Sequence, residues 1–276
     1  MRKYAIRRAE ALLERLIRQM RRAARQGDAD SIHDLRVAIR RFTQCTRVFA
    51  EFLAPGKTRK IRRRLKRLMA LAADVRDRDI ALELLLATRV AGKAELARTL
   101  RAERGEAWQA LLEGIRKTSR RWRPQLAPAK KPARLWEEKR PVAENARAHL
   151  PTLLREYFQA GRELVAARPA PADLHAFRLR TKRLRYTLEL FAPVYGARLD
   201  PRLRELQQIQ QLLGEINDCA ATERRLPQIQ GFLEKLAARR TAAFERRWKR
   251  FATERNLRSW ESELKKIAPP QPRPGT

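Results

Sequence analysis

Two histidines stand at matching places in two related segments of this chain, and each is followed at helical spacing by arginine or lysine. The first segment reads His33-Asp34-Leu35-Arg36-Val37-Ala38-Ile39-Arg40-Arg41, and it returns 142 positions later as His175-Ala176-Phe177-Arg178-Leu179-Arg180-Thr181-Lys182-Arg183. At about 100° per residue, His33, Arg36, Arg40 and Arg47 fall within an arc of about 60°, and His175, Arg178, Lys182 and Arg185 within about 80°. Leu35, Phe42, Phe49 and Leu53 take the other side of the first helix, and Phe177, Leu184, Leu188 and Phe191 that of the second. Such helices settle on an apolar back and present a cationic stripe. Arginine offers a planar fork that fits two phosphate oxygens, and lysine offers a point charge. An imidazole, with an ordinary pKa of about 6.5, becomes a two-donor cation beside an anion. The chemistry indicated is capture of a polyanion, carried out twice.

The elements that must hold these side chains read as helix almost throughout. Ala, Leu, Arg, Glu and Gln dominate and β-branched alternation is absent. Helices are expected over residues 3–25, 32–53, 57–73, from 77 onward and 93–123. The pattern then restarts over 141–166, 173–191, 201–216, 218–236 and 239–267. Residues 124–132 carry three prolines and form the expected linker; 269–276 form a proline-rich tail, expected to be disordered. Ser31 is the expected N-cap of the first histidine helix, with Asp34 completing a capping box. Both histidines are expected in a first helical turn, where free N–H groups and the helix dipole favour an anion. Arg7, Arg8 and Arg15 of the helix before, and the run from Lys57 to Arg67 with Lys60, Arg63, Lys66 and Arg67, are further sources of charge.

The duplication extends beyond the histidine helices. Residues 71–77 correspond to 212–218, Trp108 to Trp248 and Trp122 to Trp260. A five-helix unit repeated once predicts an all-α fold of two pseudo-two-fold related helical bundles, residues 1–132 and 133–268, around a basic groove or pore. The tryptophans, recurring in equivalent late helices, read as core.

Composition narrows the partner. Of 276 residues 43% are apolar, enough for a core, while Lys and Arg outnumber Asp and Glu by 64 to 31 for a net charge of +33. Such self-repulsion is relieved by a polyanion: nucleic acid, an anionic membrane or polyphosphate. Cys45 and Cys219 make no disulfide framework and read as buried reduced thiols of a cytosolic protein. No run approaches a membrane span, and the N-terminus lacks the apolar stretch of a signal peptide. Asp77 and Asp218 are expected N-caps, with Asp74, Asp79 and Glu215 paired to arginine rather than holding a metal. No zinc-ligand spacing, phosphate loop or nucleophile motif is present, so no cofactor, metal or catalytic residue is expected. His149 has no twin and reads as a packing residue.

The pattern from His33 to Arg41, followed by His175 to Glu189 with its Lys182-Arg183 and Arg185-Tyr186, resembles the CHAD domain, the conserved histidine α-helical domain. Val75 to Asp79 and Leu213 to Asp218 resemble its later helices. The resemblance implies two helical halves about a basic groove, binding of inorganic polyphosphate, and association with polyphosphate granules in the cytoplasm. It makes His33, Arg36, Arg40, Arg41, His175, Arg178, Lys182, Arg183 and Arg185 ligand contacts, with Tyr186 adding a hydroxyl donor. Three departures make the halves unequal: Thr43 stands opposite Arg185, Ala73 opposite Gly214, and Glu189 lies in the second stripe, where it is expected to pair with Arg185. The expectation is a non-enzymatic polyphosphate binder. The rivals are a nonspecific nucleic-acid-binding protein and, less favoured, a metal-dependent hydrolase or a recruiting module.

Overall fold

The computed structural model describes residues 1–120, 126, 128–129, 135–167 and 169–266. Its order is α1 Arg2–Gln26, α2 Ala29–Val48, α3 Pro55–Leu86, α4 Lys93–Arg120, α5 Val142–Ala166, α6 Pro171–Tyr195, α7 Asp200–Glu223, α8 Gln230–Phe251 and α9 Glu254–Lys265, with short 3₁₀ turns between some of them. Among the described residues there is no strand beyond one isolated bridge, Leu53 to Pro128, so the fold is all-α as expected. No described helix is long and apolar enough to cross a membrane. The tail, Trp122 and most of the expected linker lie outside the described residues.

Several boundaries differ from the sequence expectation. The helices expected over 57–73 and from 77 are one element, α3. Residues 74–77 contain no breaker, Val75 is fully buried, and Arg78 pairs with Asp74 one turn back, so the ladder continues. Asp77 is therefore not an N-cap. Asp218 is not one either, because α7 runs through it and stops only ahead of Pro227, which has no N–H to continue a helix. The helix expected over 239–267 is divided at 252–253. Thr253 caps α9 by accepting from the Asn256 N–H at 3.2 Å, and Arg162 donates to the Ala252 carbonyl at 3.1 Å.

The chain forms two compact units. One holds residues 2–135 with 218–236; the other holds Met1, 136–217 and 237 onward, so the boundary falls within α7 and within α8. In the first unit α1 packs on α2, α2 on α3 and α3 on α4. Leu13, Leu16 and Met20 of α1 meet Ile32, Leu35, Ile39 and Phe42 of α2, Leu65 and Leu68 of α3, and Leu111 and Ile115 of α4. Each such side chain contributes about 1.5–3 kcal/mol on burial, against a few tenths for a surface ion pair, so the apolar face sets the phase of α2 and the stripe takes what is left.

The second unit is built on aromatics. Tyr157 stacks on Phe177 at 5.0 Å, and Trp248 stands edge-on to both at 5.4 and 5.1 Å. Phe251 joins Phe158 at 4.7 Å and Trp260 at 6.0 Å. Trp248 and Trp260 are buried, and Trp108 packs on the core of the first unit, as their recurrence suggested. His149 lies edge-on to Trp136, with ring centres 4.7 Å apart, which fits a packing role.

Two helix-interior glycines give opposite expectations. A Cβ on Gly161 of α5 runs into the Trp248 ring, whereas one on Gly214 of α7 meets only Arg178 Nε, at 3.9 Å. Gly161→Ala is expected to lower unfolding stability by about 1–3 kcal/mol through overpacking. Gly214→Ala is expected to raise it by about 0.5–1 kcal/mol through helix propensity. Urea unfolding of the two variants against the parent checks the pair.

Candidate functional site

Each histidine stripe is anchored by its buried back. On α2, Leu35, Ala38, Ile39 and Phe42 are buried, Arg36, Arg40 and Arg41 are half-buried, and His33 and Arg47 are exposed. On α6, Leu174, Phe177, Leu184, Leu188 and Phe191 are buried, Arg178 is half-buried, and His175 and Arg183 are exposed.

The helix starts lie earlier than the sequence suggested. Asp28, not Ser31, caps α2: its carboxylate accepts from the Ser31 N–H at 2.7 Å, and the Ser31 hydroxyl donates to the Asp28 carbonyl at 3.0 Å. Hydrogen bonding from Ser31, its side chain first and then its backbone N–H, holds the Asp28 carboxyl below the usual range. Asp34 accepts from Arg22 at 2.7 Å instead of closing a capping box. At the start of α6 the Asp173 carboxylate accepts from the Ala170 N–H at 3.0 Å. Both histidines thus sit one turn further in than expected, where their backbone N–H groups belong to the helix ladder. Any anion they hold is held by side chains.

Around His33 the charges converge. Its imidazole is held below its ordinary pKa, first by partial loss of hydration, then by the positive fields of Arg76, Arg40 and Arg36, while Asp34 acts in the opposite sense. Arg76 comes from α3 and was not among the residues expected in the site. The cations that were expected from this helix, Lys60, Arg63, Lys66 and Arg67, are exposed and are not among the charges acting on His33. The reason is phase: α3 buries Ile61, Leu65, Leu68, Ala72 and Val75, and Arg76 flanks that seam while Arg63 faces away from it. Its signal was its place in the repeated stretch 71–77. On α1, Arg7 is exposed, while half-buried Arg8 bears on Tyr4 and Cys45, both of which burial pushes up to about 12.

The second stripe is more closed. His175 Nδ1 lies 2.6 Å from Asn217 Oδ1 of α7, a partner also missed in the sequence. Lys182 and Arg185 are each only 8% exposed. Arg185 meets Glu189 at 3.1 Å, the expected pairing, donates to Gln210 at 3.0 Å and lies over the Tyr186 ring at 4.8 Å. Tyr186 is buried and its hydroxyl enclosed, so it presents no donor at the surface of the stripe.

The acidic residues are engaged by arginine. Glu103 accepts from Arg78 at 3.2 Å and Arg225 at 2.9 Å, Asp79 pairs with Arg104 at 2.8 Å, and Glu215 with Arg240 at 2.8 Å. Burial raises the Asp77 carboxyl, helped by Asp218 and Asp74 and opposed by Arg36 and Arg225. Among the described residues, no three His, Cys, Asp or Glu side chains are grouped to hold a metal ion. Both cysteines are buried thiols.

The model of the CHAD domain matches residues 7–227. Among solved structures, the CHAD domain of the plant Ricinus communis superposes with a TM-score of 0.58 at 20% identity, covering 98% of this chain and 93% of that one. PptA from Streptomyces chartreusis superposes with a TM-score of 0.55 at 18% identity, covering 95% and 99%. At these identities the likeness shows a shared fold. No curated protein matches the sequence.

The lowered His33 pKa carries a stability consequence with a defined sign. Between its folded-state pKa and about 6.5 the unfolded chain takes up the proton first, so stability falls as pH falls below about 6.5 and levels off once the folded imidazole also titrates. Denaturation of the parent and of His33→Asn between pH 7.5 and 5.5 is expected to show a shallower loss in the variant. Asp77 acts in the opposite direction at lower pH and cancels in the comparison. Equal slopes would mean the surrounding arginines do not act on the ring.

Proposed function

This chain belongs to the CHAD domain family, and from that membership and its two cationic stripes we propose that it binds inorganic polyphosphate and catalyses no reaction. The observation that carries the reading is the recurrence of one histidine with half-buried arginine, Arg36 on α2 and Arg178 on α6, over an apolar back in each unit. Arg36 and Arg40 with His33 form one phosphate-binding stripe, and Arg178 and Arg183 with His175 form the other. Arg41, Arg47 and Lys182 add charge to them. Arg185, tied to Glu189, braces α6.

Polyphosphate fits better than nucleic acid because it bears a charge on every phosphate and has no bases. Sequence-tolerant nucleic-acid channels place aromatic rings where bases can stack, whereas Trp248, Trp260 and Phe177 are core here. Arginine engagement of Asp74, Asp79 and Glu103 favours binding over metal-assisted hydrolysis. Affinity comes from charge-assisted hydrogen bonds and counterion release, so it falls steeply with salt. Association with polyphosphate granules in the cytoplasm is part of the same proposal.

Calorimetric titration with polyphosphates from tripolyphosphate to long chains, beside a short single-stranded DNA, tests this at near-physiological salt. Affinity that rises with chain length and far exceeds that for DNA is expected; equal affinity for DNA overturns the proposal. Arg36→Ala with Arg178→Ala is expected to cost roughly tenfold or more, since each charge-assisted bond is worth about 1.5–3 kcal/mol. His33→Ala with His175→Ala should cost less, and binding should tighten as pH falls and the His33 imidazole, held below its ordinary pKa, gains its proton. The reverse ranking would make the histidines the main anchors.

A further inference from the structure

We infer that Asn217 is a positioning residue that holds the His175 ring with Nε2 directed to the polyanion. This rests on the polyphosphate reading and deepens it: it names the residue that orients one of the two histidines.

Asn217 lies in the repeated stretch, residues 71–77 aligning with 212–218, as His175 lies in the repeated histidine segment. The structure brings the two side chains together within one unit: His175 Nδ1 is 2.6 Å from Asn217 Oδ1.

An amide oxygen only accepts, so Nδ1 carries the hydrogen and donates to Asn217. The neutral ring is thereby fixed as the Nδ1–H tautomer, with Nε2 as its open nitrogen. When an anionic phosphate oxygen approaches, Nε2 takes a proton from solvent and becomes a donor, while Nδ1–H still donates to Asn217. The ring gains its charge without breaking its internal bond. A support that donated to Nδ1 would lose its bond on protonation.

A double-mutant cycle on the full chain tests the inference, with polyphosphate of one defined length as the probe. Asn217→Ala is expected to weaken binding roughly three- to tenfold, the worth of a neutral hydrogen bond, and to cost nothing further in a His175→Ala background. Equal losses in both backgrounds, or no loss in the parent, overturn it. A second readout needs no ligand: nitrogen NMR of the His175 ring should show Nδ1–H in the parent and in Asn217→Asp, which keeps an oxygen acceptor, but not in Asn217→Ala. An unchanged tautomer in Asn217→Ala refutes the positioning role even if binding falls. If the parent binds no polyphosphate, the proposed function fails, and the ring tautomer still decides the role of Asn217.

Discussion

A guanidinium brought against an apolar core costs several kcal/mol unless a carboxylate or carbonyl meets it, and this chain has 31 acidic residues for 64 basic ones. Several carboxylates sit where cations approach the helix seams. Glu103 serves Arg78 and Arg225 together, Asp79 holds Arg104, whose other nitrogen reaches the Gly27 carbonyl, Glu189 holds Arg185, and Glu205 pairs with Arg202. Other acids pair on the surface, as Glu14 does with Arg18 and Glu95 with Arg98, and the basic residues still outnumber the acidic ones.

The apolar backs of α2 and α6 decide which cations share a stripe. Burial of Leu35, Ile39 and Phe42 on one, and of Phe177, Leu184 and Leu188 on the other, rotates the histidines and arginines to the far side. The neighbouring helices then complete each cluster. α3 contributes Arg76 to His33, and α7 contributes Asn217 to His175. The ring aromatics that would otherwise suit base stacking are withdrawn into the core of the second unit, around Trp248. The core and the cationic stripes are two results of the same partition of side chains.

Much of this was legible from residue order. The all-α class, the pairing of Arg185 with Glu189, and the core placement of Trp248 and Trp260 follow from period and spacing, which are local properties. The helix breaks expected near 74–77 and at 217–218 rested on Asp77 and Asp218 as caps, because Asp is a strong cap in isolation. Both lie inside continuous helices, α3 and α7. The caps of α2 and α6 shifted for a similar reason: Asp28 and Pro171 precede the positions where hydrophobic period alone begins to show.

By itself the sequence determined the duplication, the helical class, the two cationic stripes and the charge surplus, since each depends only on residue identity and on the 3.6-residue period. Only the tertiary structure decided which helix meets which stripe. The run from Lys57 to Arg67 reads as a further source of charge for the site, yet the phase that buries Ile61 and Leu65 leaves Lys60, Arg63, Lys66 and Arg67 exposed, and it is Arg76 whose field bears on His33. Nor could residue order reveal that Lys182, Arg185 and Tyr186 are largely withdrawn from solvent. A helical wheel fixes directions within one helix; exposure and partnership depend on the neighbours that pack against it, and those contacts join residues far apart in the chain.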